Sequence, residues 1–258
     1  MDKRAESFLR LLQIMDELRE KCPWDKAQTI ESIRHLSIEE TYELSDAILN
    51  KNFEHIKKEL GDLLLHIVFY SRIASETQKF DIKDVMDALC EKLIFRHPHI
   101  YGDVKADTAQ AVTENWEKIK QKEKNKDSSV LDGVPNSMPA LLKAYRIQEK
   151  ARAVGFDWEQ PEQVFEKVKE ELGEFEQEVK LKNNAAAEKE FGDILFSLIN
   201  YARFLNINPE DALEKTNKKF TERFIYMEKK VKESGKQIAD CKLAELDEYW
   251  EEAKSLNN

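Results

Sequence analysis

The chain has 258 residues and a formal net charge of −10, and 36% of its residues are charged. An acidic surface of this kind repels nucleic-acid phosphates, so we do not expect a nucleic-acid duplex as a partner. The longest strongly apolar stretch, residues 63–70, is too short to span a bilayer, and three widely spaced cysteines favour a reducing compartment, so we expect a cytoplasmic protein that does not contact a membrane.

Helical periodicity dominates from the start of the chain. The sequence holds only 7 Gly and 6 Pro, and apolar residues recur at spacings of three and four. Residues 8–18 carry one such stripe, and an acidic helix, a turn at 50–52 and a strongly apolar helix follow. Residues 165–179 carry a second stripe that we expect to be buried. The pattern predicts an all-α fold without strands.

The sequence repeats itself. The segments CPWDKAQ, EETYE, ELGD, KLIFR and ENWEKIK of the first half return in the same order as GFDWEQ, EELGE, EFGD, KFTER and EYWEEAK. A charged stretch that ends in Gly and Pro separates the halves. We therefore predict a tandem repeat with a first domain at 1–125, a linker at 126–137 and a second domain at 138–258, each a bundle of four or five helices. The alternative is that acidic helices resemble one another through composition alone.

Each half carries two acidic pairs, and each pair has the spacing of one helix face. Fifteen residues containing a turn separate the two pairs in both halves. Antiparallel helices would then direct four carboxylates towards each other beside an apolar surface, where a cation would relieve their repulsion. Oxygen ligands favour Mg²⁺, with Mn²⁺ as a substitute. The predicted ligands are Glu40, Glu43, Glu59 and Asp62 in the first half and Glu171, Glu174, Glu190 and Asp193 in the second.

Other interpretations of these carboxylates stay open. They could be solvated helix charges that pair with neighbouring lysines, namely Lys57 and Lys58 in the first half and Lys167 and Lys169 in the second. A ferritin-like di-iron centre also uses helical carboxylates, but it requires Glu-x-x-His pairs. His66 lies four residues after Asp62, and the second half has no histidine around Asn200, so iron is disfavoured.

The acidic motif and its flanking segments resemble a known family. EExxE, fifteen residues and then ExxD is the metal motif of the all-α nucleoside triphosphate pyrophosphohydrolases, and dimeric dUTPases and phosphoribosyl-ATP pyrophosphatases share it. The segments CPWDKAQT, RHPHIYGDV and LDGVPNSMPALLKAYRIQEKARAVGFDW make the chain similar to the MazG family over nearly its whole length.

This resemblance implies an activity. Members of the family hydrolyse nucleoside triphosphates to the monophosphate and pyrophosphate with Mg²⁺, tolerate different bases and form homodimers. Two alternatives are a narrower, dUTPase-like pyrophosphatase and a non-catalytic helical protein that binds nucleotides or serves as a scaffold.

The resemblance also assigns roles to single residues of the second half. Lys167 falls on a phosphate-contacting lysine, Lys219 and Arg223 on a phosphate-binding pair, and Trp250 on a tryptophan near the nucleotide. Two cations four residues apart can approach a polyphosphate from one helix face. An exposed indole can stack on any base. Each residue also has a structural alternative, namely an ion pair, a solvated charge or a place in the core.

The proposed hydrolysis also requires a general base. We expect Glu170 or Glu171 to accept a proton from a water that attacks the α-phosphorus, while Lys219 and Arg223 offset the charge of the leaving pyrophosphate.

The first half matches this pattern with one exception. Lys92, Arg96 and Trp116 stand at the positions of the phosphate-binding pair and the tryptophan. Leu36 stands at the position of Lys167, which leaves triphosphate binding by the first half in question, but not metal binding.

Overall fold

The structure, a computed structural model, describes residues 2–104, 108, 112, 115, 116, 119 and 129–256. Regular structure in these ranges is helical and no strand occurs, which confirms the all-α prediction. The chain divides into two compact units, Met1–Trp116 and Glu117–Asn258. The predicted domain end at 125 and linker residues 126–128 lie outside the described residues, so those boundaries stay predictions. None of the described helices has the length and apolar character that crossing a bilayer would take.

The first unit contains four long helices and two short ones in its described part. They are α1 (Lys3–Lys21), α2 (Pro23–Ala27), α3 (Arg34–Leu49), α4 (Phe53–Ser75), α5 (Ile82–Arg96) and α6 (Pro98–Tyr101). Helix α4 packs against α3, α1 and α5. The predicted stripe of α1 carries Met15 into a core that also contains Ile33, Val68 and Phe69. Complete burial of such a side chain stabilises the fold by about 1.5–3 kcal/mol.

The second unit contains five helices and a short 3₁₀ turn in its described part. They are α7 (Ala140–Arg152), α8 (Pro161–Lys180), α9 (Asn184–Phe204), α10 (Pro209–Glu233), the turn Ile238–Asp240 and α11 (Leu243–Leu256). Helices α8 and α9 pack along each other, α7 packs against α9, and α10 packs against α11. Residues 129–137 of the predicted linker are not helical.

Both units join their acidic helix to the next helix through the same turn. Lys51 and Lys182 adopt positive φ values of 54° and 59°, the left-handed conformation that ends many helices. Asn52 and Asn183 then cap α4 and α9, because their side-chain oxygens accept hydrogen bonds from backbone N–H groups three residues ahead. These turns reverse the chain and place the acidic faces of the two helices against each other.

The expectation of one buried stripe at 165–179 is correct only in part. Val168 is 2% exposed, whereas Phe165, Leu172 and Val179 are 40%, 45% and 52% exposed. Helix α9 shows the same property at Phe191, Leu195 and Leu198. The apolar faces of these helices are therefore wider than the surface that their own unit can cover.

Candidate functional site

Acidic side chains of α8 and α9 form the centre of the candidate site. Glu171 and Glu174 lie on adjacent turns of α8, as Glu190 and Asp193 do on α9. Carboxylate oxygens of Glu171, Glu174 and Glu190 all lie within 4.8 Å of one another. Asp193 is not part of this trio but lines the same cavity of about 440 Å³. The structure thus brings three predicted ligands together and places the fourth beside them.

Lys167 lies at one end of the acidic cluster. Its Nζ is 2.7 Å from a carboxylate oxygen of Glu171 and 2.9 Å from one of Glu170. The hydrogen bond to Glu171, and then the one to Glu170, raise the pKa of Lys167. Since Glu171 is only 6% exposed, this lysine offsets a carboxylate that has lost most of its water.

Lys189 contacts the cluster from the solvent side. Its Nζ lies 3.4 Å from Glu190 and 3.9 Å from Asp193, and its side chain is 75% exposed. Lys189 is not among the lysines that the sequence suggested for this pairing. Of those four, Lys58 and Lys167 contact cluster carboxylates, whereas Lys57 pairs with Glu54 and Lys169 pairs with Glu166. Within the trio, loss of hydration and then the charges of Glu171 and Glu190 raise the pKa of Glu174. Negative charge thus remains in excess between the carboxylates.

The first unit repeats this cluster on α3 and α4. Carboxylate oxygens of Glu40, Glu43 and Glu59 lie within 4.8 Å of one another, and Glu59 is 4% exposed. Lys58 Nζ lies 3.1 Å from Glu59 and 3.6 Å from Asp62, as the corresponding lysine of α9 does for its own carboxylates. Both units therefore build the same constellation.

The two clusters differ at the position of Lys167. Its counterpart, Leu36, packs against the core of the first unit and places no charge beside the carboxylates. Burial raises the pKa of Glu40, and the charges of Asp62, Glu43 and Glu59 raise it further. Within the described ranges, the first cluster therefore has no counterpart of the Lys167 ammonium group.

The predicted phosphate-binding pair lies on α10. Lys219 is exposed and Arg223 is half-buried, and no described residue accepts a hydrogen bond from the buried Nε of Arg223. Trp250 on α11 is half-buried and packs against Phe220, with ring centroids 5.1 Å apart. None of the three predicted residues lines the cavity at the trio in the described part of the chain. Their contacts with a nucleotide stay predictions.

The corresponding residues of the first unit include a stacked pair. The guanidinium carbon of Arg96 lies 5.8 Å from the centroid of a Trp116 ring, which is within the range of a cation–π contact. Lys92 is exposed one turn earlier on α5. The roles of these three residues in substrate binding also stay predictions.

A second cavity, of about 730 Å³, adjoins the carboxylates of the second unit and was not predicted. Lys167, Glu171 and Asp193 line both cavities. The remaining walls come mainly from apolar side chains of α7, α9 and the loop between α7 and α8, and Gln148 and Asn200 add uncharged polar groups. A cavity of this size and character is typical of small-molecule sites.

A buried arginine fixes the loop beside this cavity. Arg203 is 5% exposed and contacts Asp157 at 2.5 Å and the side-chain oxygen of Asn200 at 2.8 Å. Asp157 belongs to the segment GFDW, and Asn200 and Arg203 lie three residues apart on α9. That spacing is a sequence signal, but it does not reveal which loop residue the arginine would reach.

The chemistry of both acidic clusters suits a hard divalent cation. The trios offer oxygen atoms only, from carboxylates that repel one another at short distance. Mg²⁺ and Mn²⁺ prefer such ligands, whereas sites for zinc or copper favour imidazole and thiolate. Neither trio contains a histidine or a cysteine.

Comparison with known proteins identifies the family. The model of the MazG nucleotide pyrophosphohydrolase domain matches residues 28–101 and 159–225, more than half of the chain and one segment in each unit. The chain is 48% identical over 250 residues to the "Nucleoside triphosphate pyrophosphohydrolase/pyrophosphatase MazG" of Thermotoga maritima, covering 96% of this chain and 95% of that protein. It is 41% identical over 252 residues to the "Nucleoside triphosphate pyrophosphohydrolase" of Escherichia coli K12, covering 95% and 96%. The chain therefore belongs to the MazG nucleotide pyrophosphohydrolase family.

Proposed function

We propose that the protein hydrolyses nucleoside and deoxynucleoside triphosphates, ATP among them, to the monophosphate and pyrophosphate, with broad tolerance of the base. The observation that carries this proposal is the trio of carboxylates beside Lys167, because a divalent cation and a lysine together can offset most of the negative charge of a triphosphate. The names of the relatives from Thermotoga maritima and Escherichia coli support the same activity.

The cofactor is proposed to be Mg²⁺, with Mn²⁺ as a substitute. Glu171, Glu174, Glu190 and Asp193 would hold the ion, since carboxylate oxygens of the first three lie within 4.8 Å of one another. A bound divalent ion supplies charge neutralisation of the phosphates and lowers the pKa of a coordinated water.

The side chains around the ion have separate roles in the proposed reaction. Lys167 donates to the triphosphate when its bonds to Glu170 and Glu171 open, and either of these carboxylates then accepts the proton of the attacking water. Water adds at the α-phosphorus, the bond from that phosphorus to the bridging oxygen breaks, and pyrophosphate leaves. Lys219 and Arg223 are proposed to bind the leaving group, for which the unpartnered Nε of Arg223 is available among the described residues.

The first unit is proposed to bind the same ion through Glu40, Glu43, Glu59 and Asp62. Because Leu36 replaces the lysine, this unit should bind triphosphate more weakly than the second one.

The chain is further proposed to form a homodimer in the cytoplasm. The exposed apolar faces of α8 and α9 are of the kind that a second copy would cover. The three widely spaced cysteines of the sequence favour the reducing compartment.

The experiment is pyrophosphate release from the common nucleoside triphosphates by the full chain, with and without Mg²⁺. Glu171→Gln should abolish release, and Glu40→Gln should leave most of it. Glu176→Gln is the matched control, because Glu176 lies on the same helix but pairs with Lys180 at the surface. Release without a divalent ion, or full activity of Glu171→Gln, would refute the proposal. Nucleotide binding without any release would favour the non-catalytic alternative.

A further inference from the structure

The first unit carries a histidine beside its acidic cluster, at a position where the second unit has none. All five histidines of the chain lie within its first 99 residues. His66 follows Asp62 by four residues on α4, and the residue that follows Asp193 by four on α9 is Ser197. The two halves therefore differ by an imidazole at one defined position next to a predicted metal ligand.

The imidazole of His66 is buried and one of its nitrogens is unpartnered. The residue is 8% exposed, and its Nδ1 has no hydrogen-bond partner among the described residues. A buried nitrogen of this kind is costly unless a water, a ligand or an ion pairs with it. The atom therefore needs a partner that the described side chains do not supply.

Helix geometry directs His66 towards Asp62. Residues four apart share a helix face, and a helical side chain leans over the turn that precedes it. Burial lowers the pKa of His66, and the charge of Asp62 acts in the opposite direction. The imidazole therefore lies within electrostatic reach of this carboxylate.

The repeat indicates a second carboxylate near the histidine. The second-unit residues at the positions of Glu40, Asp62 and His66 line one cavity together, and they are Glu171, Asp193 and Ser197. Burial is the main cause of the raised pKa of Glu40, and among the charges Asp62 contributes most, so these two carboxylates are neighbours. His66 is outside the trio of carboxylates whose oxygens lie within 4.8 Å of one another. An ion that contacts His66 would therefore be held on the Asp62 side of the first cluster.

We propose that His66 is a ligand of the divalent ion at the first cluster, together with Glu40 and Asp62, and that this nitrogen gives the first unit a preference for a transition-metal ion. The proposal rests on the proposed ion binding by the first unit. Imidazole suits transition metals, whereas Mg²⁺ keeps oxygen ligands and water. Two helical side chains four residues apart can bind one ion, as the histidines of a His-Glu-x-x-His motif do. The second unit has only a hydroxyl at this position, so its site should favour Mg²⁺ more strongly.

Pulsed electron paramagnetic resonance of bound Mn²⁺ tests the nitrogen directly, because a coordinated imidazole produces a ¹⁴N coupling. The full chain with Glu171→Gln, which weakens the second cluster, should show this coupling. His66→Ser in the same background should remove it, and serine is the residue that the second unit holds at this position. His66→Gln keeps a larger polar side chain and should remove the coupling as well, so the test does not depend on one variant.

His55→Gln is the matched control. His55 lies on the same helix, is exposed, and lines a cavity of about 350 Å³ together with Glu43 and Glu59. It is therefore the competing source of a nitrogen ligand. The ¹⁴N coupling should persist in this variant.

Calorimetric titrations with Co²⁺ and Mg²⁺ test the preference. The charge of Lys167 acts equally on both dications, so the ratio of the two affinities isolates the effect of the nitrogen. This ratio should be at least about tenfold higher for the first cluster, in the Glu171→Gln chain, than for the second, in a Glu40→Gln chain, because even the loss of a partner outside the ligand shell costs about 10- to 100-fold in metal affinity. His66→Ser should remove the difference.

The outcomes separate this inference from the hydrolytic activity. Bound Mn²⁺ without ¹⁴N coupling, or coupling that survives His66→Ser and disappears in His55→Gln, would overturn the inference. Failure of the Glu171→Gln chain to bind Mn²⁺ would overturn it together with ion binding by the first unit. Pyrophosphate release by the wild-type chain is measured separately. Coupling that depends on His66 in a chain that releases no pyrophosphate would support the inference and overturn the proposed hydrolysis.

Discussion

Removing the charge of Lys167 should change metal binding and hydrolysis in opposite directions. In Lys167→Met the side chain stays unbranched and is only one atom shorter, but it no longer donates to Glu171 and Glu170. The carboxylates then carry an additional uncompensated charge, so they should bind a divalent ion more tightly. The triphosphate meanwhile loses a donor, so pyrophosphate release should become slower.

The magnitude follows from the distances. Lys167 Nζ is 2.7 Å from a Glu171 oxygen, and a Mg²⁺–oxygen bond of about 2.1 Å would place an ion on that oxygen within roughly 5 Å of the ammonium group. Repulsion between one and two positive charges at that distance is about 1–2 kcal/mol in water with physiological salt. The lysine is 37% exposed, so the water value applies rather than that of a protein interior. Removing it should raise metal affinity about 5- to 20-fold.

Calorimetric titration with Mn²⁺ measures this effect, in a Glu40→Gln background that weakens the cluster of the first unit. The kcat/KM for pyrophosphate release, measured in parallel, should fall by about 10- to 100-fold. The reciprocal variant Leu36→Lys places an ammonium four residues before Glu40, and it should weaken metal binding by the first cluster.

One result would refute this reasoning. If Lys167→Met binds Mn²⁺ more weakly than its parent, the lysine acts by holding Glu171 in place rather than by its charge. The same result would also contradict the inference that Leu36 allows the first cluster to bind metal but weakens its binding of triphosphate.

Three further predictions concern stability and assembly. The pKa of Glu174 is higher in the folded chain than in the unfolded chain, where it is near 4.5, so the folded chain holds the carboxyl proton more tightly. The metal-free Tm should therefore fall as the pH rises from 4.5 through the pKa of the folded state. Glu174→Gln should make Tm less dependent on pH and should reduce the increase in Tm that Mg²⁺ causes. Arg203→Lys cannot match the paired contacts to Asp157 and Asn200, and urea unfolding should show a loss of about 2–4 kcal/mol. Leu195→Arg on the exposed face of α9 should shift light-scattering mass from dimer to monomer, whereas an unchanged mass would place the contact elsewhere.

The acidic clusters could be predicted because they depend on local rules. A spacing of three residues places two acids on one helix face whatever the rest of the fold does. The turns at Asn52 and Asn183 then reverse the chain, so neighbouring helices meet in a register that the sequence itself determines. The position of each acidic cluster can therefore be predicted from the sequence of one helical hairpin alone.

The 730 Å³ cavity beside the second cluster could not be predicted in this way. Gln148 faces Phe196, 48 residues away, and Arg203 reaches Asp157, 46 residues away. Such contacts depend on how α7 crosses α9 and on the path of the loop between α7 and α8, which helical periodicity does not encode. The exposed stripe on α8 was misjudged for a related reason, because periodicity identifies an apolar face but not the surface that covers it.

Arg203 connects the loop between α7 and α8 to helix α9. Its guanidinium contacts Asp157 of the loop at 2.5 Å and the side-chain oxygen of Asn200 at 2.8 Å. On the neighbouring helix α7, Gln148 is fixed in turn, because its Nε2 donates to the backbone oxygen of Phe196. Since Gln148, Asp157 and Asn200 all line the cavity that adjoins Glu171 and Asp193, a substitution of Arg203 should change the shape of this cavity together with stability.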